Sequence, residues 1–273
     1  MRRTLALAII LGAAWAAAAA ADGGGPSPGP NWGQPGKVDE SRGVRYVALG
    51  VGSKYTLVET IRLNDGNVMR WTSVRGLLGI PMVAWDGTMG GLSRNGGSLV
   101  LASFPGTKWT RFVELNPTSF AVRAKARLRG RFAFDALSPD GSLMYLIEYR
   151  GRLNVVNGPY AVRVFDWRTR TLYPAAIVDK REPDEKMTGQ PVTRTGNPAG
   201  WAYTLYMRPG KTPFVHALDT AHRRAFCVDL PWRHSDEWIN QVKLRVRGRT
   251  LVLRRGPEVL ARMDTKTLEV TRG

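Results

Sequence analysis

Five times along this chain a run of strand-forming residues ends in Asp or Asn, passes through a short polar turn and resumes as a strand. The ending residues are Asn64 or Asp65, Asn116, Asp166, Asp219 and Asp264, and counting from Asn64 the intervals are 52, 50, 53 and 45 residues. They fall in units at 45–76, 98–130, 137–178, 196–230 and 247–273. Each unit opens on a turn, as in "LSPDGSLMYLIEY" at 137–149, where Pro139 presets φ and Gly141 can take the positive φ of a tight turn. The residues that follow suit a pleated, half-buried strand. In "FDWRTRTL", "LDTAHRRAF" and "MDTKTLEV" the Asp side chain can accept hydrogen bonds from backbone N–H groups further round its turn.

A repeat of about 45 to 50 residues holding several strands is the signature of a propeller blade. One blade cannot bury both faces alone, whereas blades stacked around an axis cover one another. The spacing therefore predicts an all-β fold, a β-propeller of about five or six four-stranded blades over residues 44–273, in preference to a β-sandwich. Closure is expected to use the N-terminal strand "GVRYVALGV" to complete the last blade, or the reverse. "SPDGSLMYLI…VRVFDWRTRTL" and "FVHALDTAHRRAFCVDLP" resemble the WD40-like and YVTN-type β-propellers of exported bacterial proteins, and residues 178–232 resemble secreted propellers of high-GC actinobacteria. The resemblance implies fold more than activity, since propellers host lectins, hydrolases, redox enzymes and scaffolds. The Trp-Asp dipeptide that closes strict WD40 repeats is absent; Asp166-Trp167 reverses it.

Residues 1–21 read as a secretory signal peptide: Arg2 and Arg3, an apolar run, then small residues before Asp22. An uncleaved anchor is the alternative. Residues 22–43 are rich in Gly and Pro and read as a flexible leader. The expected location is secreted or extracytoplasmic, associated with the cell envelope, with no transmembrane segment after cleavage and a monomeric state. Cys227 is the only cysteine, so no internal disulfide is possible, and its frame of Phe226 and Val228 reads as a small buried apolar position on a strand.

The formal charge is +18, carried by 31 Arg and 9 Lys against 22 acidic residues. In "VRAKARLRGR" the cations Arg123, Lys125, Arg127 and Arg129 alternate with apolar residues, and in "VKLRVRGR" Lys243, Arg245, Arg247 and Arg249 do the same. A period of two puts all cations on one strand face. Solvated outer strands whose charge guards an exposed edge are the expected setting. A charge this large also draws a protein to polyanions.

No hydrolase elbow, Walker loop, dinucleotide fingerprint or His-Glu-x-x-His helix occurs, and His216, His222 and His234 lack metal-site spacing. No catalytic residue, metal or cofactor is called for. Trp85 beside Asp86, and Trp232 and Trp238 in "PWRHSDEW", lie in loop-like segments that can stack on a sugar or grip a peptide. Residues 178–195 read as a long polar surface loop. The expected function is binding at one end of the central channel through Trp85, Asp86, Arg181, Glu182, Arg194, Trp232, His234 and Trp238. The partner would be a cell-envelope glycan, an anionic polymer or another exported protein; nucleic acid is not the expected partner. The alternative is a glycosidase-like hydrolase with paired carboxylates drawn from Asp86, Asp135, Glu148, Asp179 and Glu182.

Overall fold

The computed structural model describes residues 27–106, 108–150, 158–184, 186–208, 210–232 and 237–273. The expected signal peptide and His234 lie outside them. Strand β1 (Gly29–Asn31) precedes five blades. Blade one holds β2 (Lys37–Asp39), β3 (Val44–Val51), β4 (Tyr55–Arg62) and β5 (Val68–Arg75). Blade two holds β6 (Ile80–Met82), which pairs with β1, and β7 (Leu99–Ala102), β8 (Trp109–Leu115) and β9 (Val122–Arg129). Blade three is β10 (Phe132–Leu137), β11 (Leu143–Tyr149), β12 (Tyr160–Asp166) and β13 (Thr171–Leu172). Blade four is β14 (Gln190–Gly196), β15 (Trp201–Met207), β16 (Phe214–Asp219) and β17 (Arg224–Asp229). Blade five is β18 (Val242–Arg247), β19 (Thr250–Arg255), β20 (Glu258–Asp264) and β21 (Val270–Arg272). All pairings are antiparallel, and the helical elements among the described residues are two short 3-10 turns, Glu40–Arg42 and Glu237–Gln241. The fold is a β-propeller.

In blades two to five the repeated Asp or Asn ends or directly follows the third strand, while in blade one Asp65 lies in the turn after β4 and accepts from the Asn67 N–H. Asn116 Oδ1 accepts from Thr118 and Ser119 N–H, Asp166 Oδ1 from Arg168 and Thr169, Asp219 Oδ1 from Ala221 and His222, and Asp264 Oδ1 from Lys266 and Thr267, at 2.7–3.2 Å. Four residues after each one the chain turns left-handed, at Phe120, Arg170, Arg223 and Leu268, with φ between 56° and 65°. These are the four non-glycine residues of positive φ among the described residues. The left-handed region costs an L-residue about 1–2 kcal/mol, and exposed Arg170 gives up little packing. Arg170→Gly is therefore expected to raise the melting temperature by a few degrees in a thermal scan; a lower value would mean the arginine earns its place by contacts.

Apolar residues alternate to both faces of each sheet. Among the described residues, four buried clusters each join two consecutive blades: one to two, two to three, three to four, and four to five. Burying a Leu or Phe contributes about 1.5–3 kcal/mol, so these interfaces outweigh the surface ion pairs, worth about 0–1 kcal/mol each. Thr56 and Thr110 guide the crossovers into the next blade: each bonds a carbonyl after the outer strand (Gly76, Gly130) and accepts an N–H at the next blade's start (Leu78, Phe132) at 2.8–3.0 Å.

Among the described residues no apolar cluster joins blade five to blade one. The face of blade one that would meet it carries Val51, Tyr55 and Trp71, which are 52%, 47% and 64% exposed. The ring thus has a seam.

Several expectations are corrected. The strand "GVRYVALGV" does not complete the last blade; it is β3, paired between β2 and β4. The leader is not all spacer, because Gly29–Asn31 pairs with β6 and Lys37–Asp39 with β3. Residues 190–195 belong to β14 and not to a loop. The basic stretch 122–129 is the outer strand β9, as expected, but 242–247 is β18, which lies beside β14 at the inner end of its sheet. Cys227 is half-buried on the outer strand β17; its N–H donates to Asp179 Oδ2 at 2.9 Å.

Candidate functional site

The first strands of the blades surround the axis, and residues 83–92 fold across it. A tight hairpin (Val83 N–H to Thr88 O, 2.8 Å) carries Trp85 and Asp86 to blade four, where their N–H groups donate to Pro191 O and Val192 O of β14 at 2.9 and 3.1 Å. Asp86 Oδ1 accepts from the Thr88 N–H and hydroxyl, and Oδ2 meets Lys243 Nζ of β18 at 2.9 Å. Burial pushes the Asp86 carboxyl up, but the bonds from Thr88 and Lys243 outweigh it and hold it below the ordinary range. Trp85 and Asp86 line a cavity of about 310 Å³ with Gln190, Val192, Met207 and Asn240 at this narrow end.

The opposite end is wider. The cavity there is about 780 Å³ and includes Lys37, Glu40, Arg94, Asn197 and Trp201. It continues inward into a channel of about 360 Å³ that reaches Phe134, Asp135 and Arg194. Two equivalent turns build one side of the wide mouth. In Ser93–Gly96, Ser93 Oγ donates to Asn95 Oδ1, which also accepts the Gly97 N–H; in Ser138–Gly141, Ser138 Oγ and the Ser142 N–H donate to Asp140 Oδ1. The local sequence S-x-(N/D)-G thus sets both turns, and the first brings exposed Arg94 to the rim. Lys37 Nζ donates to Met89 O at 3.0 Å, and burial lowers its pKa. Trp201 stacks on Tyr203 and Phe226, with ring centroids 5.8 and 6.0 Å away.

The channel wall holds a buried ion pair. Arg194, on β14, bonds the carbonyl and carboxylate of Asp135 on β10 and donates through Nε to Thr204 Oγ1 at 2.7 Å. Behind it, between blades three and four, His216 is fully buried; neither ring nitrogen has a protein partner.

The expected site residues fall in four places. Trp85 and Asp86 are at the narrow end. Arg194 is inside the wall. Arg181 pairs with Asp179 at 2.6 Å and donates to Cys227 O, at the rim of blade four, and Glu182 follows in the same turn. Trp232 and Trp238 meet edge to face at 5.4 Å, pack on the apolar cluster of blades four and five, and receive Arg255 over the Trp238 ring. Sequence reasoning missed Lys37, Glu40, Arg94 and Trp201, whose convergence depends on long-range packing. The carboxylates Asp86, Asp135, Glu148 and Asp179 each sit in a separate ion pair, with Lys243, Arg194, Arg163 and Arg181.

No protein-family model matches this chain, and no curated protein does. Solved structures do. The chain is similar to dihydro-heme d1 dehydrogenase NirN, at 12% identity and a TM-score of 0.50, over 90% of this chain and 47% of that one. It is also similar to the Dos1 propeller (10% identity, TM-score 0.45, 86% of this chain and 57% of that one). TolB from Acinetobacter baumannii matches at 15% identity and a TM-score of 0.41, over 80% of this chain and 48% of that one. The chain spans about half the length of the first of these. These likenesses concern the fold.

Proposed function

We propose that this chain is an exported binding module of the cell envelope that takes a glycan in the wide mouth of its channel. The observation that carries the reading is the lining of that cavity, about 780 Å³, which brings the aromatic residue Trp201 together with cations, a carboxylate and an amide at Lys37, Arg94, Glu40 and Asn197. A sugar offers apolar C–H faces to an aromatic ring and hydroxyls to charged and amide groups, and pockets of this size suit a few sugar units. Export rests on the signal-like residues 1–21. The separate pairing of Asp86, Asp135, Glu148 and Asp179 with cations favours binding over hydrolysis, since a glycosidase needs two cooperating carboxyl groups. No helix among the described residues is long and apolar enough to cross a membrane.

Calorimetric titration with soluble cell-wall glycan fragments tests it. Arg94→Ala with Glu40→Gln removes two exposed lining groups and is expected to weaken binding about tenfold or more at unchanged melting temperature. Wild-type affinity in that variant would sink the reading.

A further inference from the structure

The inner strand of a propeller blade normally has neighbours on both sides, yet β18 presents an exposed row of cations. Val242 and Leu244 point into the cluster shared with blade four, with Val246 packed against it, so Lys243, Arg245 and Arg247 point the other way, into the seam. Register extends that row across the sheet: Arg245 pairs with Val252, which pairs with Arg262, and Lys243 pairs with Arg254, which pairs with Val259. The seam face of blade five therefore carries Lys243, Arg245, Arg247, Arg254 and Arg262. Its carboxylates are at the margins: Asp86 reaches Lys243 from the axis, and Asp264, opposite Thr250, is occupied by its own turn and by Arg249. Among the described residues Arg245, Arg247 and Arg262 have no ion-pair partner. Blade one does not neutralise this face: by register the face it turns to the seam carries Val51, Tyr55 and Trp71 with one carboxylate on its strands, Glu59, which shares that face with the cations Arg45 and Arg75.

We propose that this face binds a linear acidic polysaccharide. Cations two residues apart on one strand are about 6.6 Å apart, and adjacent strands are about 4.8 Å apart, so the charges form a track and not a single pocket. Arginine forks match the flat, two-oxygen acid groups that such a chain repeats along its length. Single-stranded nucleic acid binders interleave aromatic platforms with their cations, whereas the cation row on β18–β20 contains no aromatic ring and the exposed Tyr55 and Trp71 stand on the separate blade across the seam. A membrane-binding face needs protruding apolar groups, and here Val252 and Val259 are half-buried among the arginines. The site is separate from the channel mouth and does not depend on the reading given for it.

The experiment is binding of the full chain to heparin, measured across a salt series, with double-stranded DNA and anionic phospholipid vesicles as parallel probes. Wild type is expected to bind heparin with an affinity that falls steeply between low and moderate salt. Arg245→Glu with Arg262→Glu should weaken heparin binding about tenfold or more, while Lys125→Glu with Arg127→Glu, the same charge change on the outer strand of blade two, should leave it nearly unchanged. Equal losses in both variants would reduce the effect to net charge and overturn the proposal, as would no loss in the first. DNA or vesicles binding more tightly than heparin, and losing that binding in the first variant, would assign the face to another class of partner and overturn it too. Melting temperatures of both variants establish that they fold; Arg247→Glu alone provides a second reading of the same face if the double variant does not.

Discussion

Arg194→Ala is expected to lower the unfolding free energy by about 3–5 kcal/mol, the largest single-site loss anticipated outside the apolar core. The guanidinium and its partner are 8% and 2% exposed, and removing the cation strands the Asp135 carboxylate between blades three and four. Asp135 Oδ2 already lacks a hydrogen-bond partner in the protein, and Arg194 is the cation paired with this carboxylate. Thr204 Oγ1 also loses its Nε donor. Replacing both residues, Arg194→Met with Asp135→Leu, removes the buried charge altogether and is expected to recover most of the loss. Urea unfolding of wild type and the two variants decides the matter. A cost below about 1 kcal/mol for Arg194→Ala would mean the pair behaves like an ion pair in water and does not tie the two blades.

The second large effect is acid sensitivity through His216. Burial lowers its pKa from 6.5 to about 4, with Asp135 and Asp179 pulling upward and Arg194 adding to the fall. Between those two pH values the unfolded chain holds a proton on this side chain that the folded protein does not. Stability must then rise with pH across that window. The contribution is fully present above pH 6.5 and is lost as pH falls toward 4, amounting to about 3 kcal/mol. His216→Leu, which keeps an apolar group against Tyr206, should flatten the stability profile between pH 6.5 and 4 while leaving the loss at lower pH. That further loss belongs to carboxylates held below their usual range, such as Asp166 and Asp179, where burial is outweighed by hydrogen bonds. An unchanged slope in His216→Leu would show that the imidazole is not the titrating group.

What the sequence made legible was local. The Asp and Asn turns declare themselves because one side chain bonds N–H groups two and three residues on. Blade count followed from their recurrence. The inner strand β14 stayed hidden because "QPVTRT" continues a polar stretch and contains Pro191; its strand character comes from pairing with β15 across a bulge at Pro191 and Thr193. The charge alternation of 242–247 was plain, but which end of the sheet it occupied depends on β18 meeting β14, which no local pattern encodes. The wide mouth was missed for the same reason: Lys37, Arg94 and Trp201 come from three blades. Trp232 and Trp238 had the look of an exposed pair, and the contacts that hold them against blades four and five are all long-range.

The seam has a mechanical consequence. A hoop closed by a strand shared between its ends resists opening everywhere, whereas a row is held only by what each member leans on. Among the described residues, blades two, three and four are gripped by apolar clusters on both sides, and blades one and five on one side. Resistance to local unfolding then declines toward both termini of the array, as in other stacked repeats, and the protein yields first at its two ends.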